Sequence, residues 1–137
     1  MIRVTYEGGM KFVGRGESGH PVVMDSSPRV GGADSAARPV EVMLSSLGGC
    51  TGMDVVSILR KMKTEPEAFH IEIETERTPD YPKVFTAIHL IYVVKGDVPE
   101  ENLKKAIDLS LEKYCPIANT LSGVAKITSS YRIEPSS

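Results

Sequence analysis

Cysteine is scarce in this chain. Its 137 residues include only Cys50 and Cys115, too few for the disulfide scaffold of a secreted fold. Strongly basic runs are missing too. With 16 basic against 18 acidic residues, nucleic-acid binding has little support. The opening residues MIRVTYEGG enter a strand-like pattern at once, with no signal sequence. No uninterrupted apolar run is long enough to span a membrane. The composition therefore reads as a cytoplasmic protein with two thiols. No glycine-rich dinucleotide loop occurs, and GGADSA lacks the lysine and spacing of a phosphate loop. No serine sits in a GxSxG elbow. Two cysteines and three scattered histidines make no metal motif, and nothing calls for a cofactor.

What is present is one strong helical pattern. Hydrophobic residues make up 41% of the chain, enough for the core of a single domain over residues 1–137. From Pro39 to Met62, the residues Val40, Leu44, Leu47, Thr51, Val55, Ile58 and Met62 recur every three or four positions. That is the period of a buried helix face. Met43 and Leu59 widen the stripe. Pro39 suits the first helical position, and Glu41 places a negative charge in the first turn. At about 1.5 Å per residue the rod is roughly 35 Å long, a spine for a chain of this size. Cys50 sits halfway along it, after Gly48 and Gly49 and before Gly52. Glycine inside a helix costs roughly 1 kcal/mol against alanine. Close packing against another helix accounts for the glycines, and so does open access to the Cys50 sulfur. A lone buried cysteine is usually inert packing.

The remaining elements follow in order. Ile2–Glu7, Met10–Arg15 and Pro21–Met24 read as three short strands joined at Gly8-Gly9 and Gly16–Gly19. Asp25–Arg38 is a loop of small and turn-forming residues carrying Arg29 and Arg38. Phe69–Arg77 alternates, with Ile71, Ile73 and Thr75 on one face and His70, Glu72, Glu74 and Glu76 on a solvated one. Val84–Val94 is a long, central strand, on which His89 reads as a satisfied sheet histidine. A second helix begins at Pro99, with Leu103, Ala106, Ile107, Ser110, Leu111 and Tyr114 as its packing stripe. Cys115-Pro116 then starts a short helix. In that N-cap-like place Cys115 either merely turns the chain or gains thiolate stabilisation from adjacent N–H groups. Val124–Ile133 is the last strand. The order predicts an α+β fold, helices against an antiparallel-rich sheet.

Two stretches, PVEVMLSSLGGCTGMDVVSIL and EKYCPIANTL, together resemble the signature stretches of the OsmC/Ohr family, the osmotically inducible and organic hydroperoxide resistance proteins. The form LGGCTGMDVVSIL is most similar to a less characterised OsmC-like branch. The resemblance covers nearly the whole chain in element order and rests on a helix-embedded cysteine paired with a second in a CP turn 65 positions later.

The resemblance implies an OsmC-like fold in which the sheet wraps around the long helices of an intertwined homodimer. It implies a thiol-dependent peroxidase acting on organic hydroperoxides and recycled by an external dithiol reductant, with Cys50 peroxidatic and Cys115 resolving. An arginine and a glutamate complete such sites. By position Arg29 matches the arginine of the osmotically inducible branch, and Arg15 that of the other. The glutamate is matched by Glu41, one place later than the family position, here Val40, which rotates its side chain by about 100°. Chemically, a thiolate would attack the peroxide O–O bond and a second thiol would condense the resulting sulfenic acid to a disulfide. Met43, Leu47 and Met53 could line a pocket for an alkyl chain. Two other readings remain: a non-catalytic OsmC-like protein binding a small apolar ligand, and a scaffold whose cysteines are only packing residues.

Overall fold

The computed structural model describes all residues, Met1–Ser137. They form two compact units, Met1–Ser45 and Ser46–Ser137.

The first unit holds an antiparallel meander of β1 (Arg3–Tyr6), β2 (Phe12–Arg15) and β3 (Pro21–Met24). Gly8 and Gly9 both adopt positive φ at the first turn, as the sequence predicts. The loop after β3 is tightly knotted. Asp25, 3% exposed, accepts bonds from the N–H groups of Ser26, Ala33 and Ser35 and from the Ser35 hydroxyl at 2.6 Å. These four donors hold its carboxyl at a pKa of about 2, with the Ser35 hydroxyl contributing most. The loop folds back so closely that a Cβ on Gly32 would lie 2.0 Å from the Ser26 carbonyl oxygen. Only glycine fits there. One turn of 3-10 helix, Pro28–Val30, carries Arg29 on its surface.

The long helix α1 spans Pro39–Lys61. Glu41 Oε1 reaches back to the Arg38 N–H at 2.9 Å, the carboxylate half of a capping box. Within the second unit, Leu47, Thr51, Val55 and Leu59 of α1 have no exposed surface. They are four successive turns of one stripe. Mean hydropathy along α1 reaches 1.5, so by length and composition it could cross a membrane. The linear reading missed this because serine, glycine and threonine interrupt the run without adding charge. Its buried stripe nevertheless packs within the second unit, as in a core helix.

The second sheet has the order β4-β5-β6, with β4 (Ala68–Arg77), β5 (Phe85–Lys95) and β6 (Lys126–Glu134). The predicted central strand is β5. On it Ile88, Leu90, Tyr92 and Val94 are fully buried. β4 pairs antiparallel with β5, but β6 runs parallel to it. The reason is the connection: α2 (Glu100–Leu109), a π-helical turn (Ser110–Tyr114) and α3 (Pro116–Leu121) form the crossover that a parallel pair requires. On the polar face His89 is satisfied by Thr128 at 2.7 Å and Ser130 at 2.9 Å. Glu72 bonds His70 and Arg132, which lower its pKa.

Asp25 sets a pH window for the loop. Its folded pKa lies below its ordinary value, so its contribution is complete above about pH 4 and fades as pH falls through about 2. Replacing it by asparagine removes that contribution. The stability difference between parent and Asp25→Asn, read from urea unfolding, should be constant from pH 5 to 8 and shrink toward pH 2.

Candidate active site

The two cysteines come from different elements and meet. Cys50 lies half-buried on α1, and Cys115, fully buried, precedes α3. Both are free thiols, and their side chains lie close enough for each to feel the other. Backbone shape explains each placement. A Cβ on Gly48 would meet Ile73 Cδ1 at 3.3 Å, and one on Gly52 would meet Ile71 Cδ1 at 3.5 Å. Those glycines let α1 lie close on β4, so the close contact is with the sheet rather than with another helix. Gly49, beside Cys50, faces open space. Close packing thus accounts for Gly48 and Gly52, but against a strand and not against the expected second helix. At the other cysteine the chain tightens into the π turn, where the Cys115 N–H bonds the Ser110 carbonyl at 2.7 Å.

Cys115 caps α3 as expected: its Sγ accepts the Ala118 N–H at 3.3 Å. Of the two alternatives for this cysteine, thiolate stabilisation does not follow. Burial pushes the Cys115 thiol up to about 11, and the nearness and charge of Cys50 push the same way. The Ala118 N–H pulls it down but is outweighed. The Ile117 N–H pulls the same way, yet a buried thiolate loses more from desolvation than two neutral donors return. Cys115 is therefore a protonated thiol at neutral pH.

Beside the cysteines runs a buried chain of hydroxyls. Thr51 Oγ1 lies 2.8 Å from the Tyr92 hydroxyl and 2.7 Å from Ser110 Oγ. Ser110 donates to Asp54 Oδ2 at 2.9 Å. Burial raises the pKa of Tyr92 to about 12. In the linear pattern Thr51 and Ser110 fall at packing positions and Tyr92 on a strand face, and nothing marks Asp54. A signal was available: three hydroxyl residues occupy core positions of three separate stripes, where buried polar groups need partners.

The other expected site residues, Arg29 and Glu41, and the rival arginines lie in the first unit. Arg29 is exposed, and its guanidinium has no hydrogen-bond partner in the chain. Arg38 bonds Asp34 at 2.7 Å and the Ala36 carbonyl at 3.0 Å. Arg15 reaches the Gly19 carbonyl at 3.3 Å. Glu41 is engaged in the α1 cap. Of the residues expected to line an alkyl pocket, Leu47 is fully buried and Met53 is 76% exposed. Leu47 sits inside the core, because its turn of α1 faces the sheet. A cavity of about 410 Å³ instead opens between α1 and the segment before Cys115, lined by Asp54, Ile58, Lys61, Met62, Lys105, Leu109 and Tyr114 among others.

Cys115 should titrate in the folded protein near pH 11. In Cys50→Ser the share of the rise due to Cys50 disappears while burial remains. The midpoint should then fall below that of the parent, yet stay above an ordinary thiol. Thiolate absorbance against pH measures both.

Comparison with known proteins places this arrangement. The profile of the OsmC-like protein family matches residues 32–130. Protein YhfA of Escherichia coli is 37% identical over 132 residues, covering 96% of each chain. A crystal structure of a hypothetical protein from Aquifex aeolicus superposes with a TM-score of 0.87 at 26% identity, covering 100% of this chain and 97% of that one. The organic hydroperoxide resistance protein OhrB of Bacillus subtilis shares the fold, with a TM-score of 0.65 at 14% identity over 96% of this chain and 98% of its own. An α+β fold with a long helix, two cysteines in contact and a matching profile over most of its length together make this chain a member of the OsmC-like protein family.

Proposed function

We propose that the protein is a thiol-dependent peroxidase that reduces organic hydroperoxides. The observation that carries this reading is the close pair of unequal thiols, Cys50 partly open and Cys115 buried and protonated. The Cys50 thiolate attacks the outer peroxide oxygen. The O–O bond breaks, Cys50 becomes a sulfenic acid, and the alkoxide leaves as the alcohol after protonation. The Cys115 thiol then displaces hydroxide from Cys50, giving the disulfide and water. An external dithiol reductant restores both thiols. A reducing compartment such as the cytoplasm suits this cycle.

Arg29 is the arginine that supports the Cys50 thiolate in this reading, with Glu41 as its carboxylate partner. Arg15 and Arg38 are already engaged, whereas Arg29 is free and sits on a loop stiffened by Asp25. The working unit is one OsmC-like domain over residues 1–137, active as an intertwined homodimer. Val4, Tyr6, Phe12 and Val22 of the first sheet and Met53 of α1 are each at least 40% exposed. Apolar surface of that kind calls for a partner.

A second reading has one observation in its favour. The cavity beside Asp54 combines Ile58, Met62 and Leu109 with Lys61 and Lys105, a lining that would hold a small apolar ligand without any chemistry. A co-purified apolar ligand together with thiols inert to hydroperoxide would favour it.

Under the peroxidase reading, one equivalent of cumene hydroperoxide should consume both thiols and leave an intramolecular disulfide, seen by peptide mapping. Cys50→Ser should abolish turnover. Cys115→Ser should complete one turnover and stall at the sulfenic acid. Equal steady-state rates for Cys50→Ser and the parent would end the proposal.

Arg29→Ala, made in a Cys115→Ser background, should slow alkylation of Cys50 near neutral pH, and slow peroxide reduction further because the same guanidinium orients the peroxide oxygens. The pH profile of alkylation reports it. An unmoved profile there, with a moved one in Arg15→Ala, would transfer the role to Arg15.

Sedimentation at micromolar concentration should find a dimer burying more than about 2,000 Å². A stable folded monomer would contradict the assembly but not the chemistry.

A further inference from the structure

The hydroxyl chain beside the cysteines has no part in the chemistry above, and its direction can be deduced. A carboxylate oxygen only accepts, so the single Ser110 proton goes to Asp54. Ser110 Oγ must then accept from Thr51, and Thr51 Oγ1 must accept from Tyr92. The order is Tyr92 to Thr51 to Ser110 to Asp54. Tyr92, held protonated by burial, suits the donor end. Every hydroxyl proton is used in an interior where an unmade bond is costly.

The chain joins the two segments that carry the cysteines. Thr51 follows Cys50 directly, and Asp54 lies one turn further along α1. Ser110 opens the π turn that ends at Cys115. It binds in both directions: its side chain bonds α1 twice, and its carbonyl accepts the Cys115 N–H at 2.7 Å. A π turn is less regular than an α turn and needs outside contacts to keep one shape.

We propose that Thr51 and Ser110 are positioning residues for the disulfide-forming step: they clamp the π turn to α1 and so hold the Cys115 sulfur against Cys50. This rests on the reading of Cys115 as the resolving thiol. In the step concerned, the Cys50 S–O bond breaks and the Cys50–Cys115 S–S bond forms. The Cys115 thiol proton joins the leaving hydroxide as water, and the hydroperoxide has already supplied the oxidation. The clamp acts on the second step alone. Attack of Cys50 on the peroxide needs no help from the π turn.

Thr51→Val removes the hydroxyl at nearly constant volume, and Thr51→Ser restores it. Stopped-flow oxidation with cumene hydroperoxide should show Cys50 oxidised at the parent rate in Thr51→Val. Closure to the disulfide should be slower by about tenfold, the scale of a modest misplacement of reacting atoms. Overoxidation to sulfinic acid in excess peroxide should rise accordingly. Thr51→Ser should recover fast closure. Ser110→Ala is the second variant and should behave as Thr51→Val does. Tyr92→Phe, which leaves the Thr51–Ser110–Asp54 bridge intact, should slow closure less.

A second measurement needs no peroxide. In glutathione redox buffer the effective concentration of Cys115 toward Cys50 should fall about tenfold in Thr51→Val and return in Thr51→Ser. Parent-like closure and parent-like glutathione equilibria in both Thr51→Val and Ser110→Ala would overturn the proposal. A parent protein inert to hydroperoxide would overturn the peroxidase reading instead, while the glutathione equilibria still decide the clamp.

Discussion

The second unit depends on burying one stripe of α1. Leu47, Thr51, Val55 and Leu59 occupy successive turns and lose all contact with solvent. Fully burying an aliphatic side chain contributes about 1.5–3 kcal/mol, so the three aliphatic members anchor the helix firmly. The approach to β4 is close only because Gly48 and Gly52 present no side chain to Ile73 and Ile71. Once that face is fixed, the position of Cys50 follows. It lies one residue before Thr51 on a helix that cannot rotate without exposing its core. The cysteine is thus placed by the packing of its neighbours.

Cys115 is placed by a different balance. Pro116 starts α3, and the Cys115 sulfur caps it through the Ala118 N–H. That bond alone would favour a thiolate. Complete burial opposes it and prevails, because neutral backbone donors replace little of the lost hydration. The pair is therefore asymmetric. One thiol is only half-buried, and the other is retained beside it as a neutral, fully buried group. Two identical side chains acquire different chemistry from their surroundings alone.

The first unit has its own organising charge. The Asp25 carboxylate collects four donors from a loop with little apolar content. Charge-assisted bonds of this kind are stronger than neutral ones. They order a segment that composition alone would leave as a flexible surface loop, and Gly32 permits the tight return of the chain. The 3-10 turn bearing Arg29 inherits that order.

Local patterns carried much of this protein. The 3.6-residue period located α1, and the period of two located β4 and β5, because side-chain direction along a single element is set by backbone geometry. The CP dipeptide placed the start of α3, since proline fixes its own φ and suits a first helical turn. Non-local pairings were decided only by the tertiary structure. Whether β6 runs parallel depends on how the whole α2–α3 segment crosses the sheet. Thr51 meets Tyr92 and Ser110 at sequence separations of 41 and 59, a relation with no trace in any short window. The protonation of Cys115 likewise depends on desolvation by residues distant in the chain. The sequence by itself determined which elements form and that the two cysteines fall in separate helical segments, because those depend on local geometry. Only the tertiary structure brought the sulfurs together, buried one of them and tied their segments with a chain of hydroxyls, because contact and desolvation are properties of the packed chain.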